Sequence, residues 1–222
     1  MKTRAFTTLE LIFVIVVVGI LAAVIFPRIG TDNLQKAALK TAEAIRYTQH
    51  LAMISDKFDP NLQDWYKEKW QIFFTSSSSV SGNAWSMIIF SDKFSHSGRP
   101  DVSEIAINPV DPTKKMTGGY RSGSSGIRYE DKRATKYLNL GKSFGIADVK
   151  FIGCRSRAKR ISFDELGRPY YGDPSTLHAP YSRLMTSQCR IELCTTSCNS
   201  AQSDQKVVIA IEPHTGFVHI LP

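Results

Sequence analysis

The chain has 222 residues, with 28 Lys and Arg against 20 Asp and Glu and a formal net charge of +8. Typical domains run to about 100–200 residues, so an N-terminal segment of about 27 residues leaves room for one soluble domain and argues against two. The positive charge is spread along the chain with one denser run, Arg155, Arg157, Lys159 and Arg160, so net charge alone does not assign the chain to nucleic acid.

At the N-terminus, Lys2 and Arg4 precede Ala5, Phe6, Thr7, Thr8, Leu9 and Glu10, which lead directly into sixteen uninterrupted apolar or glycine positions, residues 11–26. A charge at the centre of a bilayer-spanning helix costs roughly 2.5–3.5 kcal/mol, so an acid such as Glu10 is tolerated where a partner satisfies it. An ordinary secretory signal also has a basic start and an apolar core. Glu10 argues against that reading, and Ala22 and Ala23 are followed by Val24, Ile25 and Phe26 instead of a clean small-x-small cut site. A plain anchor helix is the other alternative, since residues 6–26 approach the roughly 20 that span a bilayer. Cations stand on both sides, Lys2 and Arg4 against Arg28, Lys36 and Lys40, so charge does not orient such a segment. Gly19 and Pro27 weaken helical hydrogen bonding. Pro27 has no amide donor and crowds the carbonyl four residues back, so the segment between them is expected to bend or melt.

These residue types resemble the class III signal of type IV pilins and type II secretion pseudopilins: a short basic leader, a small residue, Phe, a polar pair, an apolar residue, Glu and an apolar helix. The resemblance implies that a prepilin peptidase removes residues 1–5, cutting after Ala5 and methylating the new amine of Phe6. It implies that Glu10 meets that amine during assembly, that Gly19 and Pro27 confer helix flexibility, and that the partners are other pilin or pseudopilin subunits, the peptidase and an inner-membrane assembly platform. The family usually carries Gly where this chain has Ala5.

After Pro27, Asp32 can cap a helix with Gln35 three residues on. Leu34, Ala38, Ala42, Ile45 and Ala52 recur at spacings of three, four or seven, whereas Lys36, Lys40, Glu43, Arg46 and Gln49 fall on other faces. A helix over residues 7–54 would be about 70 Å long at 1.5 Å per residue, and Asp59, Pro60 and Asn61 should end it. From Lys69 the pattern turns to β, with strands expected at residues 70–75, 84–91, 104–107, 147–152, 160–163, 188–193, 206–212 and 216–221. The last two read as a hairpin across Pro213, His214 and Thr215. The Ser-rich residues 75–82 and the Gly- and Ser-rich residues 117–126 read as flexible loops. The expected fold is α+β, a long N-terminal helix with a membrane-spanning half and an amphipathic half packed on a mostly antiparallel β-sheet domain. The expected segments are 1–5 leader, 6–27 transmembrane and assembly helix, 28–56 amphipathic helix, and 57–222 globular domain.

All four cysteines, Cys154, Cys189, Cys194 and Cys198, lie in the C-terminal third. An even number of thiols outside the cytoplasm favours two disulfides, with three pairings open. The pairing expected is Cys194 with Cys198, closing a small loop, and Cys154 with Cys189, joining distant strands. A four-thiolate zinc site is the rival, although Cys154 and Cys189 stand apart and zinc ligands often come as close pairs.

Residues 161–169, with Phe163 before a turn and Gly167-Arg168, resemble a strand-turn element of H-type minor pseudopilins. Tyr170, Tyr171, Gly172, Asp173 and Pro174 resemble the calcium loop of major pseudopilins, but no set of six to eight oxygens is visible. No nucleophile with a base and no metal-ligand set stands out, so no enzyme and no cofactor are expected. His214, His219 and Glu212 flank the terminal hairpin, with Glu212 and His214 expected on one strand face and His219 on the other. Asp164 and Glu165 read as ordinary turn acids. The rival function is a DNA-binding minor pilin of an uptake filament, using Arg155, Arg157, Lys159, Arg160 and Arg168. A solvated cationic face is the competing account of those residues.

Overall fold

The structure is a computed structural model that describes residues 8–76, 79–93, 96–122, 125–154 and 159–221, the side chains of 22–31, 122 and 125 excepted. Helix α1 spans Thr8–Ile54, and its helical backbone continues past Gly19 and Pro27. The strands are β1 (Trp70–Thr75), β2 (Ser86–Phe90), β3 (Tyr120–Ser122), β4 (Ser125–Ile127), β5 (Asp148–Ile152), β6 (Arg160–Phe163), β7 (Pro169–Tyr171), β8 (Cys189–Cys194), β9 (Lys206–Ile211) and β10 (Val218–Leu221), with a one-turn helix α2 (Leu140–Phe144) before β5.

Two four-stranded antiparallel sheets are ordered β2-β1-β6-β7 and β10-β9-β8-β5, and β3 and β4 form a separate small hairpin. The C-terminal part of α1 lies against both large sheets. Its buried side chains among the described residues begin at Leu34 and continue through Ala37, Ala38, Thr41, Ala42, Ala44, Ile45, Thr48 and Ala52. Most of these are small, which lets the helix axis approach the strands closely and fill one shared core with Ile72, Phe74, Phe163, Ile191 and Ile209. Polar side chains at the edge of that face bind β10 and the loops: Arg46 Nη2 donates to Val218 O at 2.7 Å, Gln49 Nε2 to Gly167 O at 2.8 Å and Thr215 O at 3.0 Å, and Tyr47 Oη to Ile107 O at 2.9 Å.

The structure corrects the expected architecture. No helix among the described residues is long and apolar enough to cross a membrane. A bilayer-spanning helix needs about 20 consecutive, predominantly apolar residues, about 30 Å at 1.5 Å per residue. Nor does a long N-terminal helix pack on one sheet: residues 8–21 are exposed, and the strands divide among three sheets. The fold that remains is α+β with antiparallel sheets.

Local differences follow from tertiary context. Residues 104–107 make single bridges, Phe90 to Ile105 and Ile107 to Lys115, and not a strand. Residues 117–126, expected to be a flexible loop, instead carry the β3-β4 pairing, Tyr120 opposite Ile127, against a second apolar cluster with Ile88 and Phe90. There the absence of a side chain permits close backbone approach, as where Gly118 lies against the backbone of Leu138 and Asn139.

Gly216 and Gly145 separate two uses of glycine. Both have positive φ, +67° and +76°, but a Cβ at Gly216 would strike Gly167 O and come within 2.6 Å of Gln49 Nε2, whereas one at Gly145 would meet nothing within 4 Å. Left-handed backbone costs a non-glycine residue about 1–2 kcal/mol, and overpacking adds about 1–3 kcal/mol. G145A is therefore expected to cost about 1 kcal/mol and G216A at least twice that in urea denaturation, and equal losses would contradict the close-approach account.

Candidate functional site

The first candidate surface is the N-terminal stretch of α1. Leu9, Leu11, Ile12, Phe13, Val14, Ile15, Val16, Val17, Val18, Ile20 and Leu21 are 39–78% exposed, and Glu10 lies in the first helical turn. Apolar side chains in this number are ordinarily covered, because each fully buried one contributes about 1.5–3 kcal/mol. Ala5 and Phe6 lie outside the described residues, as does the side chain of Pro27. Gly19 has open space around it.

The cysteines form two disulfides, Cys154–Cys189 with Cα atoms 4.6 Å apart and Cys194–Cys198 with Cα atoms 5.4 Å apart. Strand β8 carries one cysteine at each end, so the first bridge ties its start to the chain leaving β5 and the second closes the turn that follows it. Loop-closure entropy assigns about 4 kcal/mol to the longer loop and about 2 kcal/mol to the shorter. Glu192 lies near Cys194 and Cys198, but all four sulfurs are bonded in pairs and supply no thiolate.

The basic positions do not form a common solvent-facing patch among the described residues. Arg160 is buried, pairs through Nη1 with Asp173 Oδ2 at 2.9 Å, and lies over the Phe73 ring. Arg168 Nε donates to Asp164 Oδ2 at 2.7 Å. Lys159 Nζ sits 4.1 Å over the Trp85 ring, and burial lowers its pKa. Arg155 and Arg157 lie outside the described residues. Asp173 also accepts from Ser175 N and Oγ, so its carboxylate caps the turn that follows and holds Arg160.

Asp164 is more than an ordinary turn acid. It is buried, and it accepts from Leu166 N, Arg168 N, Arg168 Nε and Tyr170 Oη at 2.7–3.1 Å. Sequence spacing did not disclose this, since only the β6-β7 pairing returns Tyr170 and Arg168 to it. The terminal hairpin is corrected as well. Its register sets His219 opposite Ala210, so Glu212, two residues on, shares that face, and His219 Nε2 lies 2.8 Å from Glu212 Oε1. That hydrogen bond, with a second from Gln188, holds the Glu212 carboxyl below its ordinary pKa.

Beside Asp164 stands a buried lysine. Lys69 Nζ donates to Tyr66 O and Pro180 O and lies over the rings of Trp65 and Tyr170, at 5.2 and 4.9 Å. Carbonyl oxygens and ring faces hold the cation in place, yet burial lowers its pKa to about 8. The chain matches no family model, no curated protein and no solved structure.

Between pH 8 and the unfolded lysine value of about 10.4, the unfolded chain holds a proton that folded Lys69 has released. Stability therefore rises with pH across that window, and the burial penalty is full below it. Lys57, also lowered to about 8 chiefly by burial, acts in the same direction. Urea denaturation between about pH 8 and 9.5 is expected to show rising stability, less steeply in K69M. An identical slope in the variant would contradict the assignment.

Proposed function

We propose that this chain is a structural subunit, a minor pseudopilin or minor pilin, of a type II secretion pseudopilus or type IV pilus-like filament. The observation that carries the reading is the exposed apolar stretch of α1, which continues without a helical break into the half that anchors the folded domain. Covering its large side chains would contribute on the order of 20 kcal/mol, an upper bound before entropy is counted. Neighbouring subunits presenting the same stretch are the covering surface in this proposal.

A prepilin peptidase cuts between Ala5 and Phe6 and methylates the new amine. Glu10 then attracts the amine of a neighbouring subunit as helices bundle, an interaction strong enough in a low-dielectric surrounding to fix axial register. The assembly platform of the bacterial inner membrane is the other partner, with the folded domain in the periplasm. Two disulfides with no free cysteine suit that oxidising compartment.

Glu10→Gln is expected to leave cleavage intact while lowering incorporation into filaments at least about tenfold, equivalent to about 1.4 kcal/mol, as read by blotting sheared filaments against whole cells. Incorporation at the wild-type level would remove the role assigned to Glu10.

A further inference from the structure

An open cavity of about 400 Å³ lies between α1, the start of β1 and residues 103–107, and its lining includes Tyr47, Leu51, Trp70, Lys93, Glu104 and Lys115. That volume falls within the range of small-ligand sites, about 300–1,000 Å³. Three features of the lining specify a chemistry.

Trp70 Nε1 is buried away from the cavity space, so Trp70 offers its ring and not its N–H to the lining. Two cations, Lys93 and Lys115, line the cavity, and Lys57, which lines a neighbouring pocket, stands with its Nζ 5.4 Å over the Trp70 ring. Burial, and after it the neighbouring Lys93, lowers the Lys57 pKa to about 8, with Glu68 offsetting part of the effect. The acid on this wall is turned toward the backbone, since Glu104 Oε1 accepts from Lys93 N at 2.7 Å and Oε2 from Asp101 N at 2.8 Å. Tyr47 directs its hydroxyl to Ile107 O, which leaves ring and aliphatic surface from Tyr47, Leu51 and Trp70 as the apolar part of the lining.

We propose that this cavity binds a small organic anion, a carboxylate carried on an aromatic or aliphatic body, with Lys93 and Lys115 meeting the carboxylate and the surfaces of Tyr47, Leu51 and the Trp70 ring meeting the body. Lys115 Nζ already donates to Ile105 O at 3.0 Å, so it is held in place along that wall and keeps further N–H donors for a ligand. The inference does not depend on the filament reading.

The test uses the full chain in non-ionic detergent with ¹⁵N-labelled tryptophan, whose three indole resonances report on Trp65, Trp70 and Trp85 separately. N-acetylphenylalanine is the probe, and its carboxamide is the control that differs only in charge. Saturable movement of the Trp70 indole signal is expected below about 10 mM, with the carboxamide at least about tenfold weaker because it forgoes a charge-assisted hydrogen bond. K93M, at an exposed position, and K115M are each expected to weaken the carboxylate alone while the Trp65 and Trp85 signals stay in place. The proposal is overturned if the Trp70 signal does not move, if the carboxamide binds as well as the acid, if all three indoles move together, or if K93M leaves the affinity unchanged.

Discussion

One helix carries two incompatible demands for burial, and the rest of the structure is arranged around that conflict. From Leu34 onward α1 buries small side chains in a core shared by both large sheets, whereas residues 8–21 are as apolar as any core segment and remain exposed in the single chain. Because the backbone hydrogen bonding is continuous, a force applied to the exposed part is transmitted to the packed part without passing through a loop. In the proposed filament, the covered stretch holds the subunit and the packed stretch holds the domain.

The domain meets that load with polar attachments that packing alone would not supply. Arg46 donates to a carbonyl of β10, and Tyr47 and Gln49 to carbonyls on separate loops, which fixes the helix against sliding on its flat row of alanines and threonines. In the other large sheet, β8 is bridged at both of its ends, to the chain beyond β5 and across its own following turn. The β6-β7 corner is organised by Asp164, whose four accepted hydrogen bonds fix Arg168 and Tyr170 beside the buried Lys69.

Features set by local periodicity were legible in the sequence, and features set by long-range pairing were not. The burial of Leu34, Ala38, Ala42, Ile45 and Ala52 follows from helical spacing, and the terminal hairpin from two alternating runs around a proline turn. Spacing could not reveal that Arg160 points into the domain onto Asp173, because the pairing of β1 with β6 decides which face of that strand is covered. The contact of His219 with Glu212 depended in the same way on a register that strand alternation does not supply. The division of the strands into separate sheets was likewise invisible to composition. The glycines of residues 117–126, which read as flexibility, instead allow backbones to pack against one another.

The central claim is that the greasy stretch of α1 serves assembly after a specific cut ahead of it. Its most direct test is Edman sequencing and intact-mass measurement of the protein purified from cells with a working prepilin peptidase. The account predicts a chain that begins at Phe6 and carries one added methyl group on its terminal amine. A chain that retains Met1, or one that begins beyond the apolar stretch, would contradict it.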